Sequence, residues 1–371
     1  MSSTKVEKLG FNFQELYRVS SKTLLTFEFD SWREEIRSDL ISISRLEGFG
    51  PFPFNDTTIG PSVPDSDWKA LGVYVSGETH LNDVQFNAGL RWDNFWVNAR
   101  ETPGYVDDDD VLLIAQDANF SALNGSLGIV FPLGKGVNAV GNIGSAFRAP
   151  NVVERYFYGR ADGNLTRPNP NIKPERGVTI DVGFKGVHNT VNYSVIGFRS
   201  DYTDFVQLLI FDSSGVEPLW RFENVGDVTI SGFEVLVEGF RDNGVYGSLG
   251  LTYQYGNNNT EDNPVFVSPF KVDAKVGYRH NKNRLFGELH MRWTGDQNRI
   301  PTVATLTDQP TNGYTLFHIN GGVTVCNQVR LSATVRNIFD KIYSEPFNGR
   351  SPNNPLVEPG RNFILSLNTQ I

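Results

Sequence analysis

Residues that alternate apolar and polar with a period of two recur through the whole sequence, and no other feature limits the possible folds so sharply. From 84 to 92, Val84, Phe86, Ala88, Leu90 and Trp92 fall on one face of an extended chain, and Gln85, Asn87, Gly89 and Arg91 on the other. Leu249, Leu251, Tyr253 and Tyr255 alternate likewise with Ser248, Gly250, Thr252 and Gln254. Further along, the polar face becomes charged: Lys271, Asp273, Lys275 and Arg279 oppose Val272, Ala274, Val276 and Tyr278. Arg284, Glu288, His290 and Arg292 oppose Leu285, Leu289, Met291 and Trp293 in the same way. Such charge must meet water. A soluble sandwich turns it outward and a membrane barrel turns it toward a wet lumen, so alternation alone leaves both open.

Strand length and the links between strands separate the two. The pattern predicts about fifteen strands, near 11–19, 22–35, 68–80, 84–98, 119–131, 137–148, 175–187, 190–205, 220–239, 244–256, 269–280, 283–296, 313–326, 328–340 and 360–371. Many exceed the five or six residues usual in soluble strands. The links are short at Ser20-Ser21, Leu81-Asn82-Asp83, Pro132 to Gly136, Gly186 to Asn189, Arg241-Asp242-Asn243, Asn281-Lys282 and Asn327. Between these lie long ones at 36–67, 99–118, 149–174, 206–219, 257–268, 297–312 and 341–359. Short turns on one side and long loops on the other are the outer-membrane barrel arrangement, with turns periplasmic and loops extracellular. A soluble sandwich or propeller has no reason to sort its links this way.

Composition agrees. The 36 Gly, 12% aromatic residues and two Met among 371 residues suit twisted strands and turns better than packed helices. The longest purely apolar stretch, Val111 to Ala115, is far below the roughly 20 residues of a membrane-spanning helix. A barrel, however, crosses with tilted strands of about 9–11 residues that are only half apolar. A formal charge of -9 argues against a nucleic-acid partner. One cysteine, Cys326, excludes an intramolecular disulfide and any multi-cysteine metal site. No H-E-x-x-H, P-loop or G-x-S-x-G stands in the sequence and the five His are scattered, so neither an enzyme nor a metal site is expected. His290 and His318 fall on the polar face, which fits hydrogen-bonded lumen histidines and not a lipid-face hydrolase.

Sidedness carries a further expectation. If link 341–359 is extracellular, the final strand runs inward and Ile371 ends in the periplasm, while the first strand also runs inward and begins outside. An odd strand count cannot close antiparallel, and Met1 to Lys5 is followed by no signal-peptide core. The expectation is therefore one partial barrel domain, residues 1–371, belonging to a longer protein.

Five segments then carry a resemblance. Gly144-Ser145-Ala146-Phe147-Arg148-Ala149-Pro150 and Asn169-Pro170-Asn171-Ile172-Lys173-Pro174-Glu175 resemble the paired "FRAP" and "NPNL-KPE" boxes of TonB-dependent outer-membrane receptors. Glu223-Asn224-Val225-Gly226 with Ile230-Ser231-Gly232-Phe233-Glu234 is similar to the family's "N-V-G…I-x-G-x-E" strand. Val335-Arg336-Asn337-Ile338-Phe339-Asp340-Lys341-Ile342-Tyr343 and Pro359-Gly360-Arg361-Asn362-Phe363 are similar to its "N-L-F-D-K-x-Y" and "P-G-R" elements. Residues 11 to 100 match more loosely, through Pro64-Asp65-Ser66 and Leu71 to Val75. The resemblance implies an all-β, antiparallel transmembrane barrel in which these are the last fifteen of 22 strands, with the plug domain and first strands absent. It implies the outer membrane of a Gram-negative bacterium, contact with outer-membrane lipid, and uptake of an iron complex, either a ferric siderophore or haem. The TonB system would be reached only through the absent plug. No cofactor is expected. A cobalamin or other nutrient receptor and a plugless passive pore or surface-structural barrel are the alternative readings. The final Thr369-Gln370-Ile371 departs from the terminal Phe usual in such barrels.

Candidate ligand contacts sit in loop 149–174 and the upper lumen: Arg148, Arg155, Tyr156, Tyr158, Arg160 and Arg167, a set able to stack on aromatic ligands and pair with carboxylates. A solvated loop with interface aromatics reads equally well. Phe147, Pro150, Asn169, Pro170, Asn224, Gly232, Asn337, Phe339, Gly360 and Arg361 are expected to be structural, fixing where strands leave and re-enter the membrane. The resemblance also implies a haem-ligating His between the first two boxes in haem receptors. Residues 151 to 168 contain none, which counts against haem, although the Pro64 region and Arg361-Asn362-Phe363 lean toward the haem branch and Tyr156 or Tyr158 could ligate iron instead. Asp107 to Asp110 reads as a solvated acidic loop or a Ca²⁺ site. Trp32, Trp68, Trp96, Trp220 and Trp293 near strand ends read as interfacial girdles.

Overall fold

The computed structural model describes residues 2–45, 55–107, 111–113, 116–161, 164–215, 218–259, 263–265, 267–280, 284–301, 310–326, 329–346 and 356–369. In chain order the first strands are β1 (Ser2–Arg18), β2 (Thr23–Arg45), β3 (Asn55–Ile59), β4 (Ser66–Leu81), β5 (Val84–Ala99), β6 (Ala118–Gly134) and β7 (Val137–Arg148). After the short helix α1 (Val152–Tyr156) come β8 (Gly159–Ala161), β9 (Asn164–Thr166), β10 (Glu175–His188), β11 (Val191–Thr203), β12 (Val206–Asp212), β13 (Leu219–Asn224) and β14 (Val228–Phe240). The remainder are β15 (Val245–Asn258), β16 (Asn263–Pro264), β17 (Lys271–His280), β18 (Leu285–Thr294), β19 (Tyr314–Cys326), β20 (Val329–Arg336) and β21 (Asn362–Thr369).

Fifteen of these form one antiparallel wall, each paired with the next along the chain: β1, β2, β4 to β7, β10, β11, β14, β15 and β17 to β21. Among the described residues β1 pairs only with β2 and β21 only with β20, so the wall has two open edges. The turns on one side are tight because their residues accept left-handed backbone. Asn82 has φ 56, and in the Lys135-Gly136 turn both residues are left-handed, at φ 54 and 77, the geometry that matches the twist of paired strands. Asn281, Lys282 and Asn327 lie outside the described residues, as do Gln370 and Ile371.

Register fixes the faces. Phe27 and Phe29 of β2 stand beside Val75 and Val73 of β4, which stand beside Leu90 and Trp92 of β5. On the opposite face Asp30, Arg91 and Asp93 form a chain, with Arg91 at 2.6 Å from Asp30 and 2.8 Å from Asp93. The apolar face is open: Leu90 and Leu127 are 55% exposed and Leu365 is 85% exposed. Each such side chain favours transfer out of water by about 1.5–3 kcal/mol, and a contiguous face of them is stable only against lipid. No helix among the described residues is long and apolar enough to cross a membrane. Near one end of this face an aromatic belt joins Phe233, Tyr253, Phe270 and Trp293, with ring centroids 5.6 to 6.4 Å apart.

The described residues of several long connections pack on one another. β8, β9, β12 and β13 form a separate small sheet in which β9 and β13 run parallel, tying connection 149–174 to the next one. Val63, Val97, Tyr105, Val152, Tyr156, Tyr158 and Leu165 share one buried cluster, so three connections pack on the inner side of β5.

Several expectations are corrected. The strand expected over 220–239 divides into β13 and β14, because Gly226 at φ 88 turns the chain, and the link expected at 206–219 begins with β12. β2 continues to Arg45 and pairs with β3 inside the link expected at 36–67. The strand expected over 328–340 stops at Arg336, where Asn337 turns at φ 50. Trp96 and Trp293 lie on the apolar face as girdle residues should, by register with Lys69 and Val272. Trp32 and Trp68 instead share the polar face with Phe95, at 6.4 and 6.3 Å, and Trp220 is buried in the small sheet.

Candidate functional site

The boxes meet physically in two groups, the first three and the last two. Arg148, the last residue of β7, pairs with Glu175, the first of β10, and with Glu154 of α1 at 2.8 Å. α1 starts at that point because Asn151 and Glu154 cap each other reciprocally, each side chain accepting the other's backbone N–H at 2.9 Å. Glu175 also accepts the backbone N–H of Val206 at 2.7 Å. Asn169 donates to the Phe222 carbonyl at 2.9 Å, and Asn224 accepts the backbone N–H of Lys173 at 2.9 Å. The second box therefore holds the third. Asn337 brackets Lys341 by both its side-chain groups, at 2.8 and 2.9 Å, and Asp340 accepts the backbone N–H of Arg361 at 2.7 Å, joining the last two boxes. A Cβ at Gly232 would collide with the Tyr253 carbonyl, and one at Gly360 with the Asp340 carboxylate. Pro150 is buried, Pro170 half-buried, Phe147 stacks on Phe95 at 6.0 Å, and Phe339 is exposed on the apolar face against Phe317 at 5.4 Å.

The loop residues expected to meet ligand divide into two groups. Arg155 is 3% exposed, lies over the rings of Phe120 and Tyr156 at 5.4 and 5.2 Å, and donates to the Tyr156 hydroxyl and the Ile172 carbonyl. Tyr156 is fully buried, donates to the Gln116 carbonyl and accepts at its own carbonyl from the Tyr105 hydroxyl. Burial pushes the Tyr156 phenol above its ordinary value, and the Tyr105 phenol likewise, which disfavours the phenolate that iron ligation needs. Tyr158 is buried under Arg167, whose guanidinium lies 5.6 Å from its ring and 3.8 Å from Asp107. These side chains hold the connections together. Arg148 is committed to two carboxylates.

Arg160 differs. It is exposed and lines a cavity of about 590 Å³ between the wall and α1, together with Glu34, Trp68, Val153 and Phe157. The carboxylate and the aromatic surfaces of this cavity have no signature in sequence, since they come from strands and a loop far apart in the chain. Asp108 to Asp110 lie outside the described residues, so the acidic loop is represented by Asp107 alone.

Lower on the polar face, His290 lies 2.8 Å from Asp273, its ring is 5.2 Å from that of His318, and His318 accepts the backbone N–H of Asn337 at 3.2 Å. Near the short turns Arg279 stacks on Tyr246 and Arg330 on Phe286, at 4.3 and 4.5 Å, around a polar pocket of about 410 Å³ that also holds Glu288 and Asn320.

A family model described as TonB dependent receptor-like, beta-barrel, matches residues 6–338. Hemoglobin-haptoglobin utilization protein B of Neisseria meningitidis serogroup A / serotype 4A is 22% identical over 311 residues, covering 73% of this chain and 38% of that protein. Vitamin B12 transporter BtuB of Photobacterium profundum is 22% identical over 282 residues, covering 75% of this chain and 43% of that protein. The chain therefore spans about two fifths of the length of these curated relatives. Among solved structures, Copper transporter OprC superposes with a TM-score of 0.82 over 99% of this chain and 57% of that one, at 20% identity.

Proposed function

This chain belongs to the TonB-dependent receptor β-barrel family of the outer membrane, and we propose that it forms the ligand-collecting wall of a receptor for an iron complex. The cavity beside Arg160 carries this reading. It sits at the long-connection end of the polar face and offers one exposed cation and the rings of Trp68 and Phe157, the chemistry that grips an anionic, aromatic chelate, while the Glu34 carboxylate is paired with Lys8 at 3.5 Å. A haemoglobin-utilization relative supports an iron-bearing ligand. The vitamin B12 relative supports cobalamin as the second reading.

Titrating the membrane-inserted chain with a ferric catecholate, haem and cobalamin separates the two. The iron reading expects binding of one iron ligand, weakened about tenfold or more by Arg160→Ala, the loss of one charge-assisted contact, and unchanged by Tyr156→Phe. Binding of cobalamin alone overturns it. A passive pore, in contrast, would show large constant ion currents in liposomes and no ligand dependence.

A further inference from the structure

The first residue of the last long connection is held to the wall by a histidine. Asn337 is 3% exposed, turns the chain at φ 50 directly after β20, and donates its backbone N–H to Nδ1 of His318 on β19 at 3.2 Å. A backbone N–H can only donate, so this contact exists only while Nδ1 carries no proton. A protonated ring would set one donor against another, and a buried N–H would lose its acceptor.

More than one turn hangs on Asn337. Its side chain brackets Lys341, its carbonyl accepts the N–H of Asp340 at 2.9 Å, and Asp340 accepts the N–H of Arg361 at the entry to β21. Both ends of connection 337–361 are therefore fastened through the residue that His318 holds. Just beyond, Tyr343 rests on Tyr314 with ring centroids 4.6 Å apart, and Glu345 reaches Arg292 at 3.8 Å.

The neighbouring histidine is placed differently. β18 turns Glu288, His290 and Arg292 to the same face, with the His290 ring 5.2 Å from that of His318. β17 adds Lys271, Asp273 and Lys275, β20 adds Arg336, and the connection adds Glu345. His290 Nε2 lies 2.8 Å from the Asp273 carboxylate, which also takes Arg292 at 3.4 Å. A proton on His290 strengthens a contact that already exists, whereas a proton on His318 breaks one. We propose that His318 is a proton-sensitive latch: neutral, it closes the Asn337 turn on the wall; protonated, it releases that turn and loosens both ends of connection 337–361. The latch is separate from the Arg160 cavity and does not depend on which ligand the receptor takes up.

Hydrogen–deuterium exchange of the membrane-inserted chain, corrected for intrinsic exchange rates, tests this between about pH 7.5 and about pH 5, the span in which histidine charges and free carboxylates do not. Segment 337–343 should lose protection about tenfold on acidification, the worth of one buried hydrogen bond. The short turn at 241–244, at the other end of the wall, should not change. His318→Asn, whose side-chain oxygen accepts the Asn337 N–H at either pH, should keep its protection, and His290→Gln should keep the acid response. Folding of each variant is checked by its heat-modifiable mobility. Should a variant fail to fold, the nitrogen NMR resonance of the His318 ring in the unaltered chain takes its place, and its titration should share the midpoint of the exchange change. Protection of 337–343 that is unaffected by acid, an acid response that survives His318→Asn or vanishes in His290→Gln, or two separate midpoints would overturn the proposal.

Discussion

Two buried phenols decide how the loop chemistry is understood. Tyr105 and Tyr156 sit in one cluster, linked hydroxyl to carbonyl, and burial holds both phenols above their usual range. A group whose proton is held more tightly in the folded state adds stability below its unfolded value and withdraws it as pH rises beyond that value. The packed connections are therefore expected to keep full stability below about pH 9 and to loosen above about pH 10, where free tyrosine ionises. Thermal unfolding of the loop cluster followed by Trp220 fluorescence across this range checks it, and Tyr105→Phe with Tyr156→Phe should remove the alkaline dependence. The sequence carries no sign of this burial. Arginine and tyrosine side by side in a polar link look the same whether they await a ligand or close a core, and the partners that bury them, Val63, Val97 and Leu165, come from three separate segments. The boxes were more legible because each joins close backbone groups through short polar side chains, as Asn224 does with Lys173.

At the scale of the element, period-two alternation located all fifteen wall strands because one face of each must be continuous with lipid. Its failures share a cause: any paired ribbon has the same period, so β13, paired with β12 beyond the wall, looks like wall, and β2 continues past Ser31 with Arg33, Glu35 and Arg37 on the face that lower down carries Phe27 and Phe29. The two faces should respond differently to charge. Leu127→Arg on the apolar face is expected to destabilise folding into phospholipid vesicles by about 2–4 kcal/mol. Asn87→Arg, on the polar face of the neighbouring strand, should change it by less than about 1 kcal/mol. Urea titration of vesicle-inserted protein measures both, and equal effects would mean that the faces are assigned wrongly.

For the molecule as a whole, alternation of short turns with long connections gives the wall two unlike ends. The long-connection end carries the packed loop cluster and the Arg160 cavity; the short-turn end carries the arginine pocket around Glu288. These assignments depend on one claim, that the apolar face meets lipid and the polar face meets water. Nitroxide labels placed singly at positions 86 to 91 of β5 test it most directly, through their accessibility to oxygen and to a water-soluble nickel chelate. Labels at 86, 88 and 90 should favour oxygen, and those at 87, 89 and 91 the chelate, in strict alternation. Uniform chelate access along the strand, or the opposite alternation, would contradict the account.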